Sequence, residues 1–375
     1  MAVNLLAALD DERFGAAELA RAHQIAEAAG FTLHRTRGID DDRLAAWIDY
    51  TFGASFWSSE VRAANVWVAR RGEEIGGFAA FGPRGLPLPW LLRWRERADV
   101  AIFGPYGVAE AQRKTGLGGA LLTAALASLR ASGYAHALIP AVSGERLIAA
   151  YRERTGAEIV DEFRYDEGRR ARAVILASGA GTNARNVLER ARDGVVPLDV
   201  VALITNDAHA GAIGIARDHD VSTVPLVWER SEESRAQYDA RVIEAIRRLQ
   251  PDLVLLLGWM HLLPAEFLAR FPHTLNVHPS FLPFDPTADE VVMPDGTVNP
   301  ALRGAHALRD ALRQGLRWSG ATVHRVTALT DRGAVLVRTP MPTDGATTEP
   351  ELRERVRPLE FAAVTQAIRR WAWER

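Results

Sequence analysis

The chain has no cysteine, a single lysine and almost no net charge, and each shortage removes a class of chemistry. Without cysteine there are no disulfides, no thiolate zinc sites and no thiol nucleophile. Lys114 is the only lysine among 45 basic residues, so a lysine Schiff base is excluded everywhere else. A net charge of −2 gives no reason to expect nucleic acid or a membrane surface as the main partner. No apolar run reaches the ~18 residues needed to cross a bilayer. Asp10, Asp11 and Glu12 stand where a secretory signal would be apolar. The expectation is a cytoplasmic protein that works on small molecules, with no nucleic acid and no membrane among its partners.

At 375 residues the chain is too long for one typical core, which points to two domains. Residues 1–30 are rich in Ala, Leu and Glu and are expected to be a helical extension, with Leu5, Leu6 and Leu9 on one face. A first domain is expected over 31–165. It opens with a short strand at 31–37 and a helix near 43–52, followed by a hairpin made of Asn65–Ala69 and Ile75–Phe81. Residues 83–95 read as a surface loop, and Val100–Val108 as a long strand. That strand runs into Gln112-Arg113-Lys114-Thr115-Gly116-Leu117-Gly118-Gly119, ahead of a helix at 120–132. A glycine-rich turn at a helix start leaves amide protons pointing outward, which suits a pyrophosphate, although a bare tight turn explains it equally well.

The succession of hairpin, long strand, glycine turn, helix, strand 135–140, helix 144–154 and a strand ending at Phe163 resembles the GNAT acyltransferase superfamily. The resemblance implies that Arg113, Gly116, Gly118 and Gly119 hold acetyl-coenzyme A or another acyl-coenzyme A, with Tyr151 as general acid. The family fixes no base; Glu110, expected on the outgoing strand, is no more than a guess.

Residues 166–172 are charged, lack a periodic apolar face and read as a linker. From 173 to 375 strands and helices alternate, which implies a doubly wound, mostly parallel Rossmann-like sheet and an α/β protein throughout. The turn Ser178-Gly179-Ala180-Gly181-Thr182-Asn183-Ala184 fits an anion loop, and also a dinucleotide fingerprint. The acidic residue Asp207 comes later than the ~20-residue offset of a ribose-binding acid, which weighs against an oxidoreductase. In Leu275-Asn276-Val277-His278-Pro279 the apolar and polar residues alternate, so Asn276 and His278 share one face of a strand. Pro279 and Pro283 end that strand, placing the pair where ligands bind in open α/β sheets. A polar strand end satisfied by neighbouring backbone is the plainer explanation.

Ser178–Asn183, Gly258-Trp259-Met260-His261-Leu262-Leu263, Asn276-Val277-His278-Pro279 and Gly320–His324 with Asp331-Arg332-Gly333 resemble, in order and spacing, the glycinamide ribonucleotide formyltransferase family. That resemblance covers 173 to about 370. It implies a catalytic centre of Asn276, His278 and Asp331, with 10-formyltetrahydrofolate as formyl donor. It also implies donor contacts at Trp259, Met260, His261 and Leu262, although a plain core role explains Trp259, Met260 and Leu262 equally well, and contacts to a phosphorylated acceptor at Gly181, Thr182, Asn183, Arg235 and Glu360. No metal is implied. The sequence departs from the family at His261, where an arginine is usual, and over Phe284–Leu302, which replaces a short loop beside the acceptor site.

The reading is a bifunctional enzyme. Its second half would formylate a polar small-molecule amine from 10-formyltetrahydrofolate, and its first half would acylate an amine from acyl-coenzyme A, within specialised metabolism. A homodimer is the candidate assembly. The alternative is a purine-pathway formyltransferase carrying a non-catalytic coenzyme A module. Initiator-tRNA formylation and hydrolysis of the formyl donor rank below both.

Overall fold

The computed structural model describes residues 1–82, 88–165 and 170–375. It divides into two compact units, one holding residues 1–51 and 57–165, the other 52–56 and 170–373. The first unit contains β1 (Ala2–Ala8), α1 (Asp11–Phe14), α2 (Ala16–Ala28), β2 (Thr32–Arg37), α3 (Asp42–Thr51), α4 (Trp57–Arg62), β3 (Asn65–Arg71) and β4 (Glu74–Phe81). It continues through α5 (Leu92–Arg95), β5 (Val100–Val108), α6 (Leu117–Ala131), β6 (His136–Ser143), α7 (Glu145–Thr155) and β7 (Glu158–Phe163). Its seven strands run in the order β2-β3-β4-β5-β6-β1-β7, and β5 and β6 are its parallel pair.

The chain start corrects the sequence expectation. Residues 2–8 are not helical; they form a strand pairing with both β6 and β7. Val3, Leu5 and Ala7 face the core, a period of two that the run of alanine and leucine disguises. Asn4 is fully buried and fixes the strand: its amide donates to Trp90 O at 2.7 Å and Asp161 Oδ2 at 3.0 Å, and its oxygen accepts from Ala141 N at 3.0 Å. Sheet pairing overrides helix propensity here. The helical part of 1–30 is α1 and α2, the latter packed on α6. Within the expected loop at 83–95, residues 83–87 lie outside the described residues, while 92–95 form α5 and bury Trp94.

The second unit contains β8 (Ala171–Leu176), α8 (Thr182–Arg192), β9 (Leu198–Thr205), α9 (Gly211–Asp218), β10 (Thr223–Pro225), α10 (Arg235–Leu249), β11 (Leu253–Leu256), α11 (Ala265–Arg270) and β12 (Thr274–His278). Then come β13 (Glu290–Val292), β14 (Val298–Pro300), α12 (Ala307–Arg313), β15 (Trp318–Arg325), β16 (Val335–Pro342) and α13 (Glu349–Glu374). The large sheet has the order β10-β9-β8-β11-β12-β15-β16. Strands from β10 to β12 are parallel, and β15 and β16 are antiparallel additions. Along β8, Ala173 and Ile175 enter one apolar cluster while Val174 and Leu176 enter the other, so both faces are covered, as a parallel sheet requires. Of the expected linker, 166–169 lie outside the described residues, and Ala171 and Arg172 already belong to β8. Among the described residues no helix is long and apolar enough to cross a membrane.

Candidate active site

β12 carries Asn276 and His278 to the carboxyl edge of the second sheet, and Pro279 ends it there. β15, its antiparallel neighbour, sets His324 opposite Asn276. The loop after β15 returns Asp331 to the same place. Asp331 adopts a left-handed φ of +51°, and a Cβ on Gly333 would lie 1.6 Å from Arg325 O, so this turn needs a glycine two residues after the carboxylate.

The three groups that the sequence singles out meet. Asn276 Nδ2 is 3.3 Å from Asp331 Oδ1, and His278 Nδ1 is 3.5 Å from Asp331 Oδ2. His324 joins them, with Nε2 at 3.2 Å from Asn276 Nδ2 and 3.3 Å from Asp331 Oδ1. It was not singled out as a site residue, although it lies on the same face of its strand as the opposed Asn276. The Gly304 amide donates to Asp331 Oδ2 at 2.7 Å.

His278 is only 4% exposed. Burial lowers its proton affinity, and the opposing pull of Asp331 and of Leu302 O does not overcome that. Asp331 favours the protonated ring, but burial outweighs it and the balance lies on the side of the neutral ring. Burial works to raise the Asp331 carboxyl, but the hydrogen bond from His324, attraction to His278 and the Gly304 amide together hold it below the ordinary carboxylate range.

These groups line a cavity of about 550 Å³. Gly181, Thr182 and Asn183 line it too, from the turn into α8. Gly181 has φ +76°, and a Cβ there would sit 2.7 Å from Ala212 Cα, so the glycine is required by backbone shape and by packing. Asn183 Nδ2 donates to Glu360 Oε2 at 3.1 Å. Burial raises the Glu360 carboxyl, with Asn183, Arg353 and Arg357 opposing.

Arg235 does not join this group. Its guanidinium is bound to Asp239 at 2.8 Å and to the Leu262 carbonyl, and it does not line the cavity. Arg353 and Arg357 do, from α13. With Glu360 they stand at i, i+4 and i+7, one helical face, a spacing readable in the sequence but not used.

The 258–263 loop is tied to the turn before α8 by Met260 N donating to Ser178 Oγ at 3.0 Å. Trp259, 8% exposed, packs into the core while touching the cavity; Met260 and Leu262 are 61% and 69% exposed at its wall. His261 sits in an aromatic cluster, 5.4 Å from Tyr238 and 5.6 Å from Trp259 between ring centroids. Its proton affinity is lowered by burial. Among the described residues no cluster of three or more histidine or carboxylate side chains could hold a metal ion.

In the first unit, Gly116 has φ +89° and caps α6, which begins at Leu117. Gly118 and Gly119 therefore lie inside the first helical turn. A Cβ on Gly118 would come to 3.5 Å from Tyr106 Oη. The Tyr106 and Tyr151 rings are 6.1 Å apart, and burial pushes both phenols up, so both remain protonated donors. Tyr106 is not among the residues singled out in the sequence. Arg113 is exposed and lies 3.6 Å from Glu110. Glu110 is 88% exposed and belongs to a single 3-10 turn beyond the end of β5, not to the strand.

The family model for formyl transferases matches residues 171–368, and that for the GNAT acetyltransferase family matches 33–157. A phosphoribosylglycinamide formyltransferase of Mycobacterium tuberculosis (strain H37Rv) is 35% identical over 200 residues, covering 53% of this chain and 83% of that protein. The phosphoribosylglycinamide formyltransferase of Escherichia coli (strain K12) is 30% identical over 190 residues, 50% of this chain and 81% of its own. Among solved structures, glycinamide ribonucleotide transformylase 1 from Symbiobacterium toebii matches with a TM-score of 0.49 and 32% identity, covering 56% of this chain and 92% of that one. These relatives account for about half of the chain.

Proposed function

Because the chain belongs to the formyl transferase family, we propose that its second unit transfers the formyl group of 10-formyltetrahydrofolate to a small-molecule amine. The observation that carries this reading is the convergence of Asn276, His278 and Asp331 on one cavity. In the reaction, the acceptor amine attacks the formyl carbon and negative charge grows on the formyl oxygen. Asn276 Nδ2, which meets His324 and Asp331 in the free protein, exchanges one of those contacts for the formyl oxygen; one such donor is worth ~3 kcal/mol of barrier. His278, neutral at rest, takes a proton from the attacking nitrogen and returns it to the departing folate nitrogen. Asp331 stabilises the imidazolium formed in between.

The acceptor in this reading carries a phosphate. The outward amides of 181–183 and the start of α8 offer an anion site. Arg353 and Arg357 line the same cavity and take the role that the resemblance gave to Arg235. Glu360 and Asn183 offer hydrogen bonds to hydroxyl or amine groups of the acceptor. Trp259, Met260, His261 and Leu262 form the donor wall.

The first unit binds an acyl-coenzyme A at Arg113, Gly116, Gly118 and Gly119 in this reading, with Tyr151 as proton donor to the departing thiolate. Glu110, exposed and beside Arg113, makes a poor base and favours a second reading in which the unit binds coenzyme A without turnover. Incubation with acetyl-coenzyme A and a panel of amines separates them: thiol release supports acyl transfer, and binding without release supports the module.

A further inference from the structure

Between Pro283 and His306 the chain makes an excursion built on the hairpin of β13 and β14, and its far end returns to the reacting groups. Leu302 O lies 2.8 Å from His278 Nε2. A carbonyl only accepts, so Nε2 carries the proton of the neutral ring and Nδ1 holds the lone pair. Nδ1 is the nitrogen facing Asp331 Oδ2, at 3.5 Å.

Both ends of the excursion are fastened to the loop that bears Asp331. Arg303 donates through Nε to Asp331 O at 3.3 Å and through its terminal nitrogen to Ala288 O at 2.7 Å. Gly304 holds the carboxylate itself. From the other side, Arg332 donates to Pro286 O at 2.8 Å and pairs with Asp289. The charged or titratable groups acting on His278 are Asp331, His324 and Arg303.

We infer that this excursion is a positioning device for proton transfer: it pins Nε2–H on the Leu302 carbonyl and leaves Nδ1, beside Asp331, as the ring nitrogen that takes the proton. The inference rests on the reading of His278 as proton carrier in formyl transfer. The acceptor nitrogen bonds to the formyl carbon and its proton passes to Nδ1. As the bond between the formyl carbon and the folate nitrogen breaks, that proton passes to the folate nitrogen, so none is gained or lost overall. An imidazolium formed this way is held at both nitrogens, by Leu302 O and by Asp331.

The test is a two-bond proton–nitrogen spectrum of the full chain labelled at histidine, with His278→Gln to assign the signal. The expected result is an Nε2–H ring at His278 in the free protein. In Arg303→Ala the tie loosens, the signal becomes a mixture of tautomers, and kcat for formyl transfer falls roughly ten- to a hundredfold with KM for the formyl donor unchanged. An Nδ1–H ring in the unaltered protein overturns the inference whatever the activity. So does an Arg303→Ala protein with both tautomer and kcat unchanged. The spectrum needs no substrate, so its outcome is separate from the fate of the formyl-transfer reading. An Nε2–H ring that loosens in Arg303→Ala supports the placement of the proton even if no formyl group moves.

Discussion

His278 and Asp331 are both held below their ordinary proton affinity, by different causes: burial lowers the ring, while His324, His278 and the Gly304 amide lower the carboxyl against the effect of burial. The sign of the pH dependence follows. Because the proton affinity of His278 is lowered, the neutral ring persists as pH falls below the ordinary histidine value of about 6.5. The acid limb of kcat/KM for formyl transfer is expected below that value. Asp331→Asn removes the first of the groups that raise His278, so the limb moves to still lower pH while the plateau drops about 100-fold. A pH–rate profile of both proteins checks this, and a limb at or above 6.5 in the unaltered enzyme contradicts it. Gly333 gives a stability prediction at the same scale. A methyl group 1.6 Å from Arg325 O cannot be accommodated without moving the Asp331 turn. Gly333→Ala is expected to cost about 3 kcal/mol, read as a lower urea midpoint.

At the scale of elements, β12 and α13 differ in how openly the sequence reports them. Asn276 and His278 are two residues apart on a strand, so their shared face is local arithmetic. That both faces of β8 are covered follows from its apolar run over residues 173–176. What escaped is what depends on partners distant in sequence. β1 is a strand because β6 and β7 flank it, and nothing within Ala2–Ala8 announces them. Arg235 carries the expected residue type but spends its charge on Asp239, while Arg353 and Arg357 reach the cavity from a helix more than a hundred residues later. Arg357→Ala should raise KM for a phosphorylated acceptor about tenfold or more, the value of one lost charge-assisted hydrogen bond, and leave the formyl donor's KM unchanged. Steady-state kinetics with each substrate varied decide it; a rise confined to the donor would place the anion elsewhere. Asn4→Ala removes the buried ties of β1 and is expected to destabilise the first unit by about 1–3 kcal/mol. Calorimetry should show that loss while formyl transfer persists.

At the scale of the molecule, the two units each carry a glycine turn opening a helix. In the first, Gly116 precedes α6 with Tyr106 and Tyr151 nearby. In the second, Gly181 precedes α8 and shares its cavity with Asn276, His278 and Asp331. Each unit has its own apolar core, so the account treats their chemistries as separable. Gly118→Val should weaken coenzyme A binding in the first unit and leave the second active. The most direct test of the central claim follows the absorbance of 10-formyltetrahydrofolate as it is consumed, with glycinamide ribonucleotide as first acceptor and a panel of phosphorylated amines after it, for the unaltered chain and His278→Ala. The account predicts acceptor-dependent turnover by the unaltered chain and a loss of at least about 100-fold in the variant, with the formyl donor still bound. Formyl transfer at an unchanged rate by His278→Ala would contradict it.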